Sequence, residues 1–279
     1  MPSENKKKID IRSVQLIQLD MLKTIAAICD QHNIRYYLAA GTLLGAVRHQ
    51  GFIPWDDDLD IQIPRPDYNR LLQILDGGVL PKTMEYAYLG MPNHHLPFLK
   101  LYYRDSEFIE TKLRSPYCNS KIWIDVFPLD GLSSDAKKIR KTYFWATKLR
   151  HFLYTGIVDL TQISGIQRLG TIILRPIARV LGSQWIAGKI ESFAQRYDID
   201  SSPVIGNIEW ARNAGDALPT EQYLPQVDLQ FEDGVFHCPK GYHEHLTNMY
   251  GDYMIPPPEH LRAVHSSGEF YLIQRDKEN

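Results

Sequence analysis

Residues 52–65 read "FIPWDDDLDIQIPR" and place four carboxylates within five positions, those of Asp56, Asp57, Asp58 and Asp60. Like charges held this close repel one another, and they lose hydration when the chain packs around them. Two explanations fit the stretch: a solvated acidic loop that precedes a strand, or a cluster whose charge is balanced by a bound cation. The residues that follow favour the second.

The stretch from Asp58 to Ile63 alternates polar and apolar residues, which predicts a half-buried β-strand. Residues two apart in a strand project from the same face, roughly 6.5 to 7 Å from each other. Asp58 and Asp60 should therefore share one face, where their carboxylates can converge on Mg²⁺, a cation that prefers oxygen ligands.

A third carboxylate lies in residues 121–131, "KIWIDVFPLDG", which read as another strand. Asp125 stands within its apolar part, where an unpaired charge is costly. If the two strands are neighbours, Asp125 would complete a two-metal site with Asp58 and Asp60. A buried cap or a salt-bridge partner remains an alternative reading of Asp125 alone.

The segment "AAGTLLGAVRH", residues 39–49, has the form of a phosphate-binding turn. Gly41 can adopt a positive φ and lets a ligand approach the backbone. Thr42 is expected to cap the following helix, whose free N–H groups favour an anion.

The patterns along residues 1–132 predict one α/β (α+β) domain with a short mixed sheet flanked by helices. A helix is expected over residues 13–32, with Ser13 as its N-cap, and further helices over 43–50 and 66–75. Further strands are expected over residues 34–42, 96–104 and 107–112.

Residues 133–200 form a predicted helical insert of basic, amphipathic character, in which residues 136–190 hold ten Lys or Arg and one acid, Asp159. The insert has two readings: a helical cap over the active site, or a surface that lies on the anionic inner leaflet of a membrane, which is slightly favoured. Residues 201–279 are turn-rich, with a short helix capped by Gly251, and should complete the core and the site.

The composition narrows the class of protein. The 279 residues carry a formal net charge of -2, so nothing global suggests a nucleic-acid partner. Cys29, Cys118 and Cys238 are widely spaced, which argues against a disulfide framework or a zinc site. No secretory signal or spanning segment is evident, so we expect a cytoplasmic protein, with peripheral contact at the cytoplasmic membrane face as an alternative.

The motif "GTLLGAVRHQGFIPWDDDLDI", residues 41–61, together with "WIDVFPLDG", residues 123–131, and "YGDYM" near the end, resembles the LicD family of phosphocholine transferases. That family belongs to the nucleotidyltransferase-fold superfamily, which also includes the fukutin-like ribitol-phosphate transferases. The resemblance covers most of the chain and is looser over residues 136–190. It implies a nucleotidyltransferase-like sheet.

The resemblance also implies an activity: transfer of phosphocholine from CDP-choline to a hydroxyl of a cell-surface glycan precursor, free or lipid-linked, of teichoic acid or lipopolysaccharide type. Asp58, Asp60 and Asp125 are then the catalytic and metal-binding residues. They would hold Mg²⁺, with two ions as the favoured count and Mn²⁺ as an alternative. Gly41 and Thr42 would bind the diphosphate, and Asp125 would accept the proton of the acceptor hydroxyl.

Four further side chains are candidate substrate contacts. Arg48 is expected to clamp phosphate, with His49 beside it as a phosphate contact or a helix cap. Lys100 would contact phosphate if its strand borders the site. Trp55 is the favoured cation–π partner for choline, ahead of Trp123, Tyr102 and Tyr103. Arg262 and His265 match family positions, and their roles stay open.

Three rival readings remain. A CDP-ribitol-type transferase or a true nucleotidyltransferase would use the same fold with another donor. A non-enzymatic module would use the acids to bind Ca²⁺ structurally, although Ca²⁺ favours six to eight oxygen ligands and this strand offers few.

Overall fold

The computed structural model describes residues 5–110, 119–161, 163–210, 213–262 and 268–274. The helices in these ranges are α1 (Ile11–Gln31), α2 (Ala40–His49), α3 (Arg65–Asp76), α4 (Ala136–Thr155), α5 (Gly165–Leu181), α6 (Ser183–Ala194), α7 (Thr220–Tyr223) and α8 (Tyr242–Tyr250). The strands are β1 (Asn5–Lys8), β2 (Tyr37–Leu38), β3 (Asp60–Pro64), β4 (Met84–Ala87), β5 (Leu99–Tyr103), β6 (Ser106–Glu110), β7 (Asn119–Ser120), β8 (Trp123–Leu132), β9 (Val204–Gly206), β10 (Leu218–Pro219), β11 (Gln226–Phe231), β12 (Gly234–Pro239) and β13 (Gly268–Gln274).

The central sheet is mixed and is organised around the long strand β8. β3 runs parallel to β8, whereas β5 and β9 pair with β8 in antiparallel fashion near its beginning and its end. β2 and β4 extend the sheet next to β3 and β5, and β10 extends it next to β9. Beyond this sheet, β1, β13, β6 and β7 form an antiparallel sheet and β11 pairs with β12. The predicted α/β (α+β) class is confirmed.

Strand β3 is buried on both faces, so the prediction of a half-buried strand is wrong. All five residues of Asp60–Pro64 are buried. The apolar face, with Ile61 and Ile63, joins the main hydrophobic core. On the other face, the hydroxyl of Tyr223 from the C-terminal segment donates a hydrogen bond to Gln62. The second face is covered by residues about 160 positions away, which a local pattern does not reveal.

Helix α1 begins before its predicted N-cap. Asp10, not Ser13, caps the helix, because its side chain accepts a hydrogen bond from the Ser13 N–H at 2.8 Å. An acid at this position also interacts favourably with the helix dipole.

The Gly41–Thr42 pair lies inside the first turn of α2, not in a turn that precedes the helix. Ala39 is the N-cap and Ala40 has the positive φ of 45°, so the predicted roles of Gly41 in a left-handed turn and of Thr42 as a cap are wrong. The entry into α2 is instead fixed by strand β3, since the Ala39 N–H donates to the Asp60 carbonyl oxygen at 3.1 Å.

Three helices, α4 to α6, occupy the predicted insert. Leu153, Ala178, Ile186 and Ile190 form a small core that joins all three. None of the helices in the described part of the chain has the length and apolarity that crossing a bilayer requires.

The C-terminal segment is tied to the sheet by a buried ion-pair group. Arg65, at the start of α3, donates to both carboxylate oxygens of Asp130 in β8 at 2.7 and 2.6 Å, and to Glu209 at 2.7 Å. The predicted helix near the C-terminus is α8, and Gly251 follows it with a φ of 71°. Cys29 and Cys238 are buried free thiols, and Cys118 lies outside the described residues.

Gly45 allows α2 to pack against the loop that follows it. A Cβ on Gly45 would lie 2.4 Å from the Gly51 carbonyl oxygen. We expect Gly45→Ala to lower the free energy of unfolding by about 2 kcal/mol, because backbone atoms must shift to relieve the contact. Gly170→Ala in α5 is the matched control, since no heavy atom lies within 4 Å of its Cβ position. It should gain about 0.5 to 1 kcal/mol from helix propensity. Urea titration measures both, and a Gly45→Ala protein as stable as wild type would contradict the packing argument.

His94 should make the protein less stable in acid. The ring is buried, its Nε2 lies 2.8 Å from the Phe98 carbonyl oxygen, and burial lowers the pKa of His94 from 6.5 to about 4. Because the folded-state pKa lies below the unfolded one, the contribution to stability is complete above pH 6.5 and is lost as the pH falls from 6.5 towards 4.

The test compares wild type with His94→Gln, whose amide retains a donor for the same carbonyl but does not titrate. Between neutral pH and pH 4.5, wild type should lose about 2 to 3 kcal/mol more than the variant. Parallel pH profiles in thermal or urea unfolding would argue against a buried neutral imidazole.

Candidate active site

A cleft of about 490 Å³ opens at the beginning of β3 and β8. One wall comes from the start of α2 and the acidic stretch, and the other from α4, α8 and the segment that follows β9. The predicted site residues that line it are Gly41, Asp58, Asp60 and Asp125, and Asp56 joins them.

Asp60 and Asp125 are direct neighbours on adjacent parallel strands. Asp60 begins β3, Asp125 lies near the start of β8, and the two are paired in register. The Asp125 N–H donates to the Leu59 carbonyl oxygen at 2.9 Å, which holds this register at the strand entrance. Asp58 lies two residues before the start of β3 and lines the same cleft. The structure thus brings together the three carboxylates predicted to cooperate.

Two buried glutamines of α1 hold the backbone of the acidic stretch. The side-chain amide of Gln15 donates to the carbonyl oxygens of Ile53 and Asp56 at 3.2 and 2.8 Å. The amide of Gln18 donates to Asp57 and to Trp123 of β8 at 3.0 Å each. Neutral amides thus bind main-chain oxygens of the loop and help to fix its backbone.

Thr42 and Gly41 also help to position two of the acidic residues, Asp60 and Asp56. The Thr42 hydroxyl accepts a hydrogen bond from the Asp60 N–H at 2.9 Å in a buried environment. At Gly41, a Cβ would lie 2.6 Å from an Asp56 carboxylate oxygen, so glycine permits the close approach of this side chain. In this structure both residues position the acidic cluster.

Lys100 places a cation beside the paired strands. It lies in register with Asp125 on β5, and its Nζ is 2.7 Å from Asp125 Oδ1. The ammonium also lies 4.6 Å from the centroid of the Trp123 ring. Its strand does border the site, as the prediction required, and its charge is directed at Asp125.

The electrostatics of the cleft are dominated by crowded, buried acids. Burial, followed by repulsion from Asp58, Asp125 and Asp56, raises the pKa of Asp60 well above its ordinary value, against an opposing effect of Lys100. Burial and the adjacent Asp58 likewise raise the pKa of Asp56 to about 9. Such a site gains free energy from any cation that enters it.

The chemistry of these side chains fits a hard divalent cation, because carboxylate oxygens are the ligands that Mg²⁺ prefers. Within the residues that the structure describes, however, no group of three or more His, Cys, Asp or Glu side chains is arranged closely enough to hold a metal ion. The donors therefore share a cleft without forming a finished coordination sphere.

The opposite wall consists of residues that the sequence reasoning missed. They are polar or aromatic: Arg150, His151, Tyr154, Asn207, Trp210, Asn213, Asp216 and Tyr250. Four of them come from one short stretch, "GNIEWARNAGD" at residues 206–216, whose polar and aromatic content is the only local signal. No spacing rule connects that stretch to β3, because tertiary packing places it there.

Arg150 and Trp210 give this wall a positive charge and an aromatic surface. Burial lowers the pKa of Arg150 to about 10, and its guanidinium donates to the Glu209 carbonyl oxygen at 3.2 Å and to the Thr147 hydroxyl at 2.9 Å. The Trp210 ring packs edge-on against Phe98, with centroids 4.8 Å apart, and lies 5.8 Å from Tyr154. One cation and an aromatic surface thus face the acids.

The remaining predicted contacts lie outside the lining of this cleft. Arg48 donates to the Tyr253 carbonyl oxygen at 2.7 Å, and the His49 ring lies edge-on to Trp55 at 6.3 Å. The guanidinium of Arg262 lies 4.7 Å above the Trp55 ring. His265 falls outside the described residues.

The alternative choline partners lie on the strands beside the cleft. Trp123 is buried against Phe108 and Phe270, at 5.2 and 5.9 Å. Tyr102 and Tyr103 are half-buried at the end of β5 and pack against the main core.

Comparison with known proteins agrees with this geometry. Residues 33–153, from before β2 to near the end of α4, match the model of the LicD/FKTN/FKRP nucleotidyltransferase domain. The chain is 29% identical over 273 residues to the lipopolysaccharide cholinephosphotransferase LicD of Haemophilus influenzae, covering 96% of this chain and 100% of that protein.

Two other relatives match over shorter regions. An uncharacterized protein of Rickettsia prowazekii, RP689, is 45% identical over 76 residues, which are 27% of this chain and 29% of that protein. The human ribitol 5-phosphate transferase FKRP is 26% identical over 106 residues, which are 36% of this chain and 21% of that protein. The resemblance seen in the sequence motifs is confirmed: residues 33–153 match the LicD/FKTN/FKRP nucleotidyltransferase domain, and nearly the whole chain is similar to a LicD protein.

Proposed function

We propose that this protein is a transferase that moves phosphocholine from CDP-choline to a hydroxyl of a cell-surface glycan precursor and releases CMP. Transfer of a phosphoryl-containing group is supported by the activities for which two relatives are named, the cholinephosphotransferase LicD and the ribitol 5-phosphate transferase FKRP. The choline donor is favoured because the LicD match spans 96% of this chain. The acceptor class, of teichoic acid or lipopolysaccharide type, is part of the proposal.

The observation that carries the proposal is the register of Asp60 with Asp125 at the mouth of the cleft. Two carboxylates on neighbouring strands, with Asp58 next to them, form the donor set that phosphoryl transfer uses to hold divalent cations. Asp58, Asp60 and Asp125 would hold Mg²⁺ here. When bound, the ion would neutralise the negative charge of the transferred phosphoryl group and of the departing CMP.

Donor binding would use both walls. Arg150 is buried in the cleft, and a guanidinium can bind phosphate oxygens in bidentate fashion. Tyr154, Trp210 and Tyr250 provide aromatic faces in the same cleft, and such faces attract the quaternary ammonium of choline. We therefore assign choline recognition to this wall in preference to Trp55, which Arg262 already covers.

The reaction itself needs one proton acceptor and one bond exchange. The acceptor hydroxyl attacks the choline-bearing phosphorus, a new P–O bond forms, and the P–O bond to CMP breaks. Asp125, which Lys100 holds in place at 2.7 Å, takes the hydroxyl proton in this proposal. A cytoplasmic site of action suits a nucleotide-linked donor, and it stays a prediction.

Carboxylate chemistry can be tested with Asp60→Asn. Incubation of wild type with CDP-choline, Mg²⁺ and a glycan acceptor should release CMP and add choline to the glycan, whereas the variant should lose turnover by a factor of about 10³ or more. Asp20→Asn is the matched control, because Asp20 is exposed on α1. The melting temperature of metal-free Asp60→Asn should not fall, since the change removes repulsion among buried acids.

Other outcomes of these experiments would favour one of the rival functions. Transfer from CDP-ribitol but not CDP-choline would favour the ribitol-phosphate reading, and CMP or AMP attached to the acceptor would favour a nucleotidyltransferase. A large loss of metal-free stability in Asp60→Asn, with no turnover by wild type, would favour a structural metal module.

Thr42→Val tests whether Thr42 positions Asp60. The change leaves the buried Asp60 N–H without an acceptor and should cost about 1 to 3 kcal/mol in stability. It should also lower kcat with little change in the KM for the donor, because the misplaced group is a carboxylate of the cleft. Thr42→Ser keeps the hydroxyl and should behave like wild type. An increase in KM alone would indicate direct donor contact instead.

A further inference from the structure

Helix α5 presents its apolar side to the outside of the protein. Five of its aliphatic residues recur at spacings of three and four, which places them on one side of the helix, and their side chains are 54% to 91% exposed: Ile166, Leu169, Ile173, Ile177 and Val180. We call this set the outer face of α5. Amphipathic helices of globular proteins normally bury such a face in the core.

The helix is attached to the protein by small residues instead. Thr171 and Ala178, two turns apart, are its only buried residues, and Ala178 packs with Leu153 of α4 and Ile186 of α6. Arg175 secures the same side by donating to the carbonyl oxygens of Thr155 and Val158. The outer face is therefore held outward by a fixed attachment on another side of the helix.

The net charge of residues 136–190 indicates which kind of surface the outer face meets. Residues 136–190 contain ten Lys or Arg, and their one acid, Asp159, is buried. Arg168 and Arg179 are exposed on α5 itself. A second copy of the same surface would bring like charges together, whereas anionic lipid headgroups would neutralise them.

We propose that α5 lies on an anionic phospholipid bilayer, with its outer face among the acyl chains and the basic residues at the headgroups. The length of α5, 17 residues, and its flanking cations are typical of helices that lie in the membrane interface without crossing it. Trp185, half-exposed two residues into α6, adds an aromatic residue of the kind that favours this interface.

Binding of α5 to a bilayer would bring the candidate active site close to a lipid-linked acceptor. Helix α4 places Arg150, His151 and Tyr154 on the cleft, and Arg175 of α5 binds the carbonyl oxygen of Thr155, the next residue. The cleft wall is thus adjacent to the lipid-facing helix, which suits an acceptor that is carried on a lipid. This last point rests on the proposed function, whereas bilayer binding does not.

The two earlier readings of the insert then apply to different helices. α4 covers the cleft, as a cap would, and α5 is the helix directed at the membrane. The same insert would do both because α5 packs against α4 through its small residues and leaves its large aliphatic side chains largely exposed.

The test measures binding of the full-length protein to vesicles by co-sedimentation, without donor, metal or acceptor. Wild type should bind vesicles that contain phosphatidylglycerol, bind pure phosphatidylcholine vesicles weakly, and be released by salt. Ile173→Glu should weaken binding roughly tenfold or more, because it places a charge in the apolar contact. Gln167→Glu makes the same change in charge about 120° around the helix and should bind nearly as wild type does.

Circular dichroism and thermal unfolding of each variant serve as controls that the variant is folded. Ile166→Glu, at a side chain that is 91% exposed, provides a second probe if Ile173→Glu unfolds. Equal binding of wild type and both Ile variants, or no binding of wild type, would overturn the proposal. So would a dimer in sedimentation velocity that Ile173→Glu dissociates, since a second copy would then cover the face. Because the assay needs no turnover, its failure is distinct from failure of the proposed function.

Discussion

The structure depends on one electrostatic constraint: the four carboxylates of Asp56, Asp58, Asp60 and Asp125 must be kept together along one cleft. Parallel pairing of β3 with β8 sets Asp60 beside Asp125, and repulsion among the acids makes that arrangement costly unless the surrounding protein compensates. Lys100 supplies part of the compensation from the next strand. The negative charge that remains is the basis of the proposal that the cleft binds a divalent cation.

The scaffold around the acids is built from neutral hydrogen bonds to the main chain. Gln15, Gln18 and Thr42 bind backbone groups of the acidic stretch and of β3, so that the carboxylates themselves stay directed at the cleft. A positively charged partner in these positions would hold the loop as firmly but would cancel part of the negative charge of the cleft. The family match over residues 33–153 includes the acids and most of α4, which is consistent with a single functional unit.

The sequence alone predicted the fold class, the approach of Asp58, Asp60 and Asp125, and the helix ended by Gly251, because each follows from local periodicity or from a short motif. The sequence-based predictions were wrong or incomplete where contacts between residues far apart in the chain determine the structure. The second face of β3 is covered by Tyr223, Thr42 bonds to Asp60 instead of capping α2, and Trp210 reaches the cleft from an unpatterned loop. No local sequence pattern predicts these contacts, because each depends on how segments far apart in the chain pack together.

The contacts of Arg65 limit where the chain can be truncated without loss of stability. Its guanidinium is buried and binds Asp130 of β8 and Glu209 of the segment after β9, so two stretches far apart in the chain satisfy one charge. Truncation before residue 209 would remove one of the acidic partners of that buried guanidinium. The N-terminal strands and the segment around Glu209 are consequently expected to depend on each other for stability, because one buried charge is shared between them.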